Sequence, residues 1–395
     1  MACEAITNYL ATESSRLGPW FYHKNMVAQS PWPSLVPRAE YPRGIGYDFR
    51  NFTAERALPT SILSWTSANA FSSGGDCGAC DYDPNAVDVG HTTRTTTLYK
   101  YELKSRMICV EDLQRAWESV QQIQAIRSEL GNYVKEVWNQ RYQADTFRWT
   151  KYKSVADGSL SGNHTSTIAT TYPAACATDV LQQELLNYWY FRLVRDGAAS
   201  GAVGGSASSP VLPLLCSYEV SNYLLKQNDA DREDLRYAKP GELITNLSAT
   251  RVFQNFAHVT IPFPRRFTCS AGTYTEVAPF TSDNKTVLTG GELNEDYLNA
   301  PFEEAIIHNR QLWTQLVPRP MTMAADATFG ADTYTGEWKW LNDVNKTDNV
   351  WGTYGQWFGR MWAAAMGVKP ELGVSIVYKR CDPLMAALPS TCTYS

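Results

Sequence analysis

The sequence predicts an α+β fold, because strand and helix periods alternate along the chain and neither is confined to one part of it. The strand period is seen where Tyr99, Tyr101 and Leu103 alternate with Lys100, Glu102 and Lys104. The helical period is seen in Leu113, Ala116, Val120, Ile123, Ile126, Leu130, Val134, Val137 and Trp138, which recur at steps of mostly three or four. With 395 residues and 44% hydrophobic side chains the chain can bury a sizeable core, and its 19% charged residues fall short of the usual share of about 25%, which excludes disorder.

The elements follow in chain order. The first forty or so residues mix Trp20, Phe21, Tyr22 and Trp32 with Pro31, Pro33, Pro37 and Pro42. Proline fixes φ and removes a donor, so helix and central strand are both disfavoured and an extended arm lying over another surface is expected. From Gly44, Ile45, Tyr47 and Phe49 alternate against Gly46, Asp48 and Arg50 as a half-buried strand. This strand and the Tyr99–Leu103 strand, preceded by β-favouring threonines from Thr92 to Thr97, flank a long excursion whose glycine-rich residues 66–90 form its loop. Glu111 and Asp112 then open a helix of roughly thirty residues, because its N-terminus favours negative charge. Thr178 is placed to cap a second helix that presents Leu181, Leu185, Trp189 and Leu193 and stops at Gly197. The Gly/Ala/Ser stretch from Gly197 to Ser209 reads as a loop. Val211–Cys216 reads as a strand that Pro213 confines to an edge, and Ser217 caps a helix through Leu225.

Charge excludes a general nucleic-acid or anionic-lipid binder: 35 Lys and Arg stand against 40 Asp and Glu, for a net charge of -5. Thirteen Trp and 22 Tyr in a chain of low charge lean toward an assembling protein, because interface cores are rich in aromatics and poor in charge. No apolar run approaches the roughly 18–20 residues of a membrane helix. The first residues show no basic segment followed by an apolar one, so synthesis and folding in the cytosol are expected. Nine cysteines, an odd count spread through a core-building chain, do not resemble a disulfide framework and are expected to be mostly small buried thiols.

No catalytic or metal-ligating set emerges, and no cofactor is implied. Cys77 and Cys80 have the spacing of a zinc knuckle, but no second Cys-x-x-Cys and no His-x-x-x-His completes it. Asp81, Asp83 and Asn85 open like a calcium loop, yet Ala86 replaces the turn glycine and Thr92 stands where a bidentate glutamate is required. Gly204 to Ser208 departs from a nucleophile elbow at its last position, and no phosphate-cradling glycine motif occurs. Glu304 and His308 would share a helix face but lack a third partner. Two charged groupings suit surfaces instead: Arg232, Glu233, Asp234 and Arg236 could pair across subunits, and Arg265 and Arg266 could meet a phosphate or a partner's carboxylate.

Taken together, the order of arm, two-stranded excursion, long helix, mixed region and aromatic-rich C-terminal part resembles the major capsid proteins of tailed double-stranded DNA bacteriophages, the Hong Kong 97 type. Segments that fit this layout include Ser105 to Cys109 with Asp112 and Leu113, Leu193 to Gly197, Asp234 to Tyr237, Pro264 to Phe267 and Val317 to Pro320. Glu337 to Trp340, Pro370 to Gly373 and Arg380 with Cys381 continue it. The resemblance implies an N-terminal arm over 1–43, an extended loop over 44–107, and a spine helix with peripheral domain over 108–175. It further implies an axial domain with peripheral-domain strands over 176–330 and a C-terminal peripheral and axial segment over 331–395. Tyr47, Phe49, Tyr99 and Tyr101 become assembly contacts of the extended loop. The implied protein is no enzyme: it is a virion component assembled in the host bacterial cytoplasm into pentamers and hexamers around packaged DNA. A scaffolding protein, a portal and a cement protein are its implied partners. An encapsulin-like compartment shares the fold, and a carbohydrate-binding or carbohydrate-cleaving protein would also use many aromatics.

Overall fold

The computed structural model describes residues 31–41, 48–54, 91–97, 99–104, 108–109, 136, 138–158, 165–206, 209–226, 251–253, 255–279, 294–318, 338–341 and 354–380. Strands and helices are interleaved, as the α+β reading requires. Among the described residues the largest sheet has ten strands, ordered β10-β11-β9-β14-β18-β6-β7 with β8, β12 and β13 attached. Its members are β6 (Tyr152–Val155), β7 (Thr165–Ile168), β8 (Gly204–Gly205), β9 (Pro210–Cys216), β10 (Arg251–Phe253) and β11 (Phe256–Thr260). The others are β12 (Arg266–Ser270), β13 (Thr273–Val277), β14 (Phe302–Ile307) and β18 (Val374–Lys379). A smaller sheet gathers β1 (Arg38–Tyr41), β4 (Tyr99–Lys104), β5 (Ile108–Cys109), β15 (Trp313–Pro318) and β16 (Trp338–Leu341) around β17 (Tyr354–Gly367).

The larger sheet carries the main core on the face built by alternate residues of its strands. Leu212 and Leu214 of β9, Ala305 and Ile307 of β14, and Val374 and Ile376 of β18 meet Leu185, Leu186, Trp189 and Leu193 from helix Gln183–Arg195. Helix Tyr218–Lys226 adds Val220 and Leu224 to the same cluster. Burying a side chain of this size stabilises by roughly 1.5–3 kcal/mol, so this face holds the sheet and helices as one unit.

Several expectations are corrected here. Pro213 does not confine its strand to an edge: β9 is central, parallel to β11 and antiparallel to β14. Its carbonyl still accepts from His308 N at 2.9 Å, and the absent N–H falls beyond the last paired residue of β14, Ile307. Glu304 and His308 share no helix, because Phe302–Ile307 is a strand and His308 follows it. Thr178 caps nothing: its N–H and that of Asp179 are held by Ala156 O, which keeps 178–182 out of the helix until Gln183. The predicted stop is in place, with Gly197 left-handed at φ 101°. Ser217 caps as expected, accepting from Val220 N at 3.3 Å. The Gly/Ala/Ser stretch is partly built into the fold as a short 3-10 helix, Ala198–Gly201, and strand β8. Cys176 and Cys269 are not thiols but a disulfide. Cys216 is buried.

Residues 138–149 are helical and join the two sheets. Tyr142 donates to Gln315 Oε1 at 2.6 Å, Trp313 donates to Thr146 Oγ1 at 3.0 Å and Trp149 donates to Ala365 O at 3.1 Å, which fixes the helix on β15 and β17. Its C-terminal end runs into β6 of the larger sheet within three residues. Trp138 continues the predicted apolar face; the rest of that face, Leu113 to Val137, lies outside the described residues.

The described part of the arm packs on its own chain. It contains a four-residue helical turn, Trp32–Leu35, because proline is tolerated in a first turn. Trp32 stacks on Tyr142 at 5.5 Å, and β1 pairs parallel with β15 at the sheet edge.

Candidate assembly surfaces

A ribbon of two strands, β2 (Asp48–Ala54) and β3 (His91–Thr97), lies beside β17 but is hydrogen-bonded to neither sheet among the described residues. Its antiparallel register runs unbroken from Asp48↔Thr97 to Ala54↔His91. Among the described residues no third strand is hydrogen-bonded to it. The threonine run is therefore the partner of the first strand, with Phe49 opposite Thr96. Tyr99 and Tyr101 are placed differently: they belong to β4 and pair with Ala363 and Met361 of β17, at the root of the ribbon. Tyr47 and the loop 66–90 lie outside the described residues, as do Cys77, Cys80, Arg232, Glu233, Asp234 and Arg236.

The second surface is the outer side of helix Gln183–Arg195. The inward side carries Leu185, Leu186, Trp189, Tyr190 and Leu193, so the helical period turns Glu184, Tyr188, Phe191 and Arg195 outward. Phe191 is 62% exposed and Tyr188 45%. They border a depression of about 480 Å³ completed by Arg192, Arg195 and Asp196. Its floor is tied down: the Arg192 guanidinium lies over the Tyr152 ring at 4.6 Å and donates to Tyr188 Oη at 3.4 Å. Tyr152 donates to Asp196 Oδ2 at 2.9 Å, and burial, then this carboxylate, push its phenol up. In the sequence these two aromatics fall on the polar side of an amphipathic helix, and their size there is the signal that marks them.

Arg265 and Arg266, expected to meet a phosphate or a partner's carboxylate, both make ion pairs within their own chain. Arg266 Nε donates to Glu303 Oε2 at 3.0 Å, and Arg380 Nε lies 3.6 Å from the same oxygen. Arg265 bonds Glu276 Oε2 at 2.6 Å and Glu304 Oε2 at 3.4 Å, while Tyr172 donates to Glu304 Oε1 at 2.7 Å. Adjacent residues on a strand point to opposite faces, so Glu303 and Glu304 each anchor a separate charged cluster. Buried Lys153 lies beside the second: burial pushes its ammonium down to about 7, Glu304 opposing and Arg265 adding to the shift.

Among the described residues no group of three or more His, Cys, Asp or Glu side chains is placed to hold a metal ion, and no helix is long and apolar enough to cross a membrane. What the described residues provide is surface: a ribbon with no third strand hydrogen-bonded among them and an exposed aromatic helix face.

No protein-family model matches the sequence, and no curated protein matches it. Solved structures do. The capsid of cyanophage Pam1 matches with 9% identity over 89% of this chain and 93% of its own, at a TM-score of 0.53. The capsid of Ralstonia phage GP4 matches with 9% identity over 88% of each chain at 0.48. The head of Helicobacter pylori bacteriophage KHP40 matches with 9% identity over 90% of this chain and 92% of its own at 0.47. The Pam1 likeness shows the fold, and the fold is that of a phage capsid subunit of the Hong Kong 97 type. The α+β expectation and the fold that the resemblance implied are both met.

Proposed function

We propose that this chain is a major capsid protein that assembles into an icosahedral shell of pentamers and hexamers around packaged double-stranded DNA. The observation that carries the reading is the β2–β3 ribbon, which among the described residues is hydrogen-bonded to neither sheet of its own subunit. An isolated two-stranded ribbon is marginally stable in water, so it gains by lying on another surface, and a neighbouring subunit supplies one. Phe49 belongs to that contact, and Tyr47 is assigned to it as well. Tyr99 and Tyr101 act at the ribbon's root. The outward Tyr188 and Phe191 supply a second patch, and rings of subunits form when such heterologous contacts close.

The net charge of -5 suits a container, since tight phosphate neutralisation would hold DNA rather than let it be packaged. A scaffolding protein, a portal and a cement protein are the proposed partners, the virion is the proposed location, and assembly is assigned to the host bacterial cytoplasm. Arg232, Glu233, Asp234 and Arg236 remain proposed rim contacts between subunits.

Deleting residues 66–90 tests the ribbon's role. The shortened chain is expected to remain a soluble folded subunit that fails to make stable shells; robust full-sized particles from it would refute the assignment.

A further inference from the structure

Cys176 and Cys269 are separated by 93 residues in sequence and joined by a disulfide, with Cα atoms 5.9 Å apart. Cys269 lies in β12 directly opposite Tyr274 of β13, and Cys176 lies in the segment between β7 and the helix Gln183–Arg195. The sulfur bridge is not the only link between these pieces. The Tyr274 hydroxyl donates to Ala175 O at 2.9 Å and accepts from Ala177 N at 2.8 Å, so it grips the chain on both sides of Cys176. Gly272, in the turn between β12 and β13 at φ +80°, approaches Ala174 so closely that a Cβ would lie 2.6 Å from its carbonyl oxygen. Tyr172 adds edge contacts to Phe267 and Tyr274. Hydrogen bonds and ring packing thus join the two cysteine-bearing segments by contacts that do not run through the sulfurs.

We infer that Cys176 and Cys269 are an oxidation site of the already folded subunit, a dithiol in the reducing cytoplasm that closes after release, with a low-molecular-weight disulfide such as oxidised glutathione as the oxidant. Both residues are half-buried, which leaves the site within reach of a small reagent. One cysteine thiolate attacks a sulfur of oxidised glutathione and expels a glutathione thiolate, leaving a mixed disulfide. The second cysteine thiolate attacks the protein-side sulfur and expels the other glutathione. The two protein thiols are oxidised, one glutathione disulfide is reduced to two thiols, and the two protons lost by the cysteines are taken up by the two expelled glutathione thiolates. The covalent link changes no fold. It restricts the unfolded chain and pins the β12–β13 hairpin to the segment at Cys176, so a particle outside the cell gains stability that assembly inside it does not need.

The test uses the full chain purified under reductant, then exchanged into oxidised glutathione. Expected are a loss of two hydrogen masses, one cross-linked peptide joining Cys176 to Cys269, an unchanged circular dichroism spectrum, and a melting midpoint raised by several degrees and lowered again by dithiothreitol. Cys176→Ser and Cys269→Ser should give no cross-link and no rise, and the wild-type comparison with and without oxidant stands even if a variant misfolds. The inference is overturned if the cross-link forms only in denaturant, if it forms without moving the midpoint, or if protein trapped with an alkylating reagent in a reducing cytoplasm is already fully cross-linked.

Discussion

Removing the charge of Glu303 should be among the most damaging single changes in the described fold. Its side chain is 1% exposed and accepts from Arg266 at 3.0 Å, with Arg380 at 3.6 Å and the Tyr378 hydroxyl donating to its other oxygen. Glu303→Gln keeps the shape but removes the carboxylate charge that two buried guanidinium groups share. Breaking a buried pair in this way costs about 3–5 kcal/mol. The lower end applies, because Arg380 keeps Leu298 O and Ala300 O, each at 2.8 Å, and Arg266 keeps Tyr297 O at 3.3 Å. A loss of about 3 kcal/mol is a large fraction of a domain's usual 5–15 kcal/mol. Glu276→Gln is the matched control: it removes a carboxylate that is 48% exposed, so its loss should stay within about 1 kcal/mol. Chemical unfolding of the unassembled subunit, followed by tryptophan fluorescence, reads both. Equal losses for the two variants, or a loss under about 1 kcal/mol for Glu303→Gln, would show that the buried cluster does not hold β12, β14 and β18 together.

Two further outcomes follow from the same geometry. Lys153 donates to Phe147 O and to Thr150 O at the end of the helix spanning 138–149, and burial lowers its ammonium from 10.5 to about 7. Between those pH values the unfolded chain binds a proton that the folded chain has released, so stability rises with pH by up to about 1.4 kcal/mol per unit and is level below the window. The difference in unfolding free energy between wild type and Lys153→Met should therefore climb as pH rises above about 7; a flat difference contradicts the burial. Phe191→Asp places a charge on an exposed position, so the subunit's own stability should change by about 0.5 kcal/mol or less while particle yield falls. Sedimentation separates the two effects, and undiminished particle yield removes Phe191 from the interface.

What was legible in the sequence is local. The Ser217 cap, the Gly197 stop and strand β4 all depend on neighbours in sequence, and each is found in place. What was not legible depends on partners far away. Pro213 looked like an edge residue because a local rule cannot know that its strand lies between β11 and β14, with the missing donor falling past the end of the pairing. Paired glutamates at 303 and 304 hid strand β14, since their burial makes sense only once Arg266, Arg380 and Arg265 arrive from other strands. Cysteine count and spacing alone could not nominate a disulfide between residues 93 apart. Of the assembly surfaces, the ribbon was legible as an excursion, whereas its pairing through the threonine run and the outward face of Tyr188 and Phe191 were not drawn from the same pattern.

Electron microscopy of the purified full chain, expressed in bacteria alone and with a scaffolding protein, tests the central claim most directly. Closed shells of uniform size, or rings of five and six subunits, with the β2–β3 ribbon lying across a neighbouring copy, are the predicted result. A chain that stays monomeric at every concentration under both conditions, or particles in which the ribbon folds back on its own subunit, would contradict it.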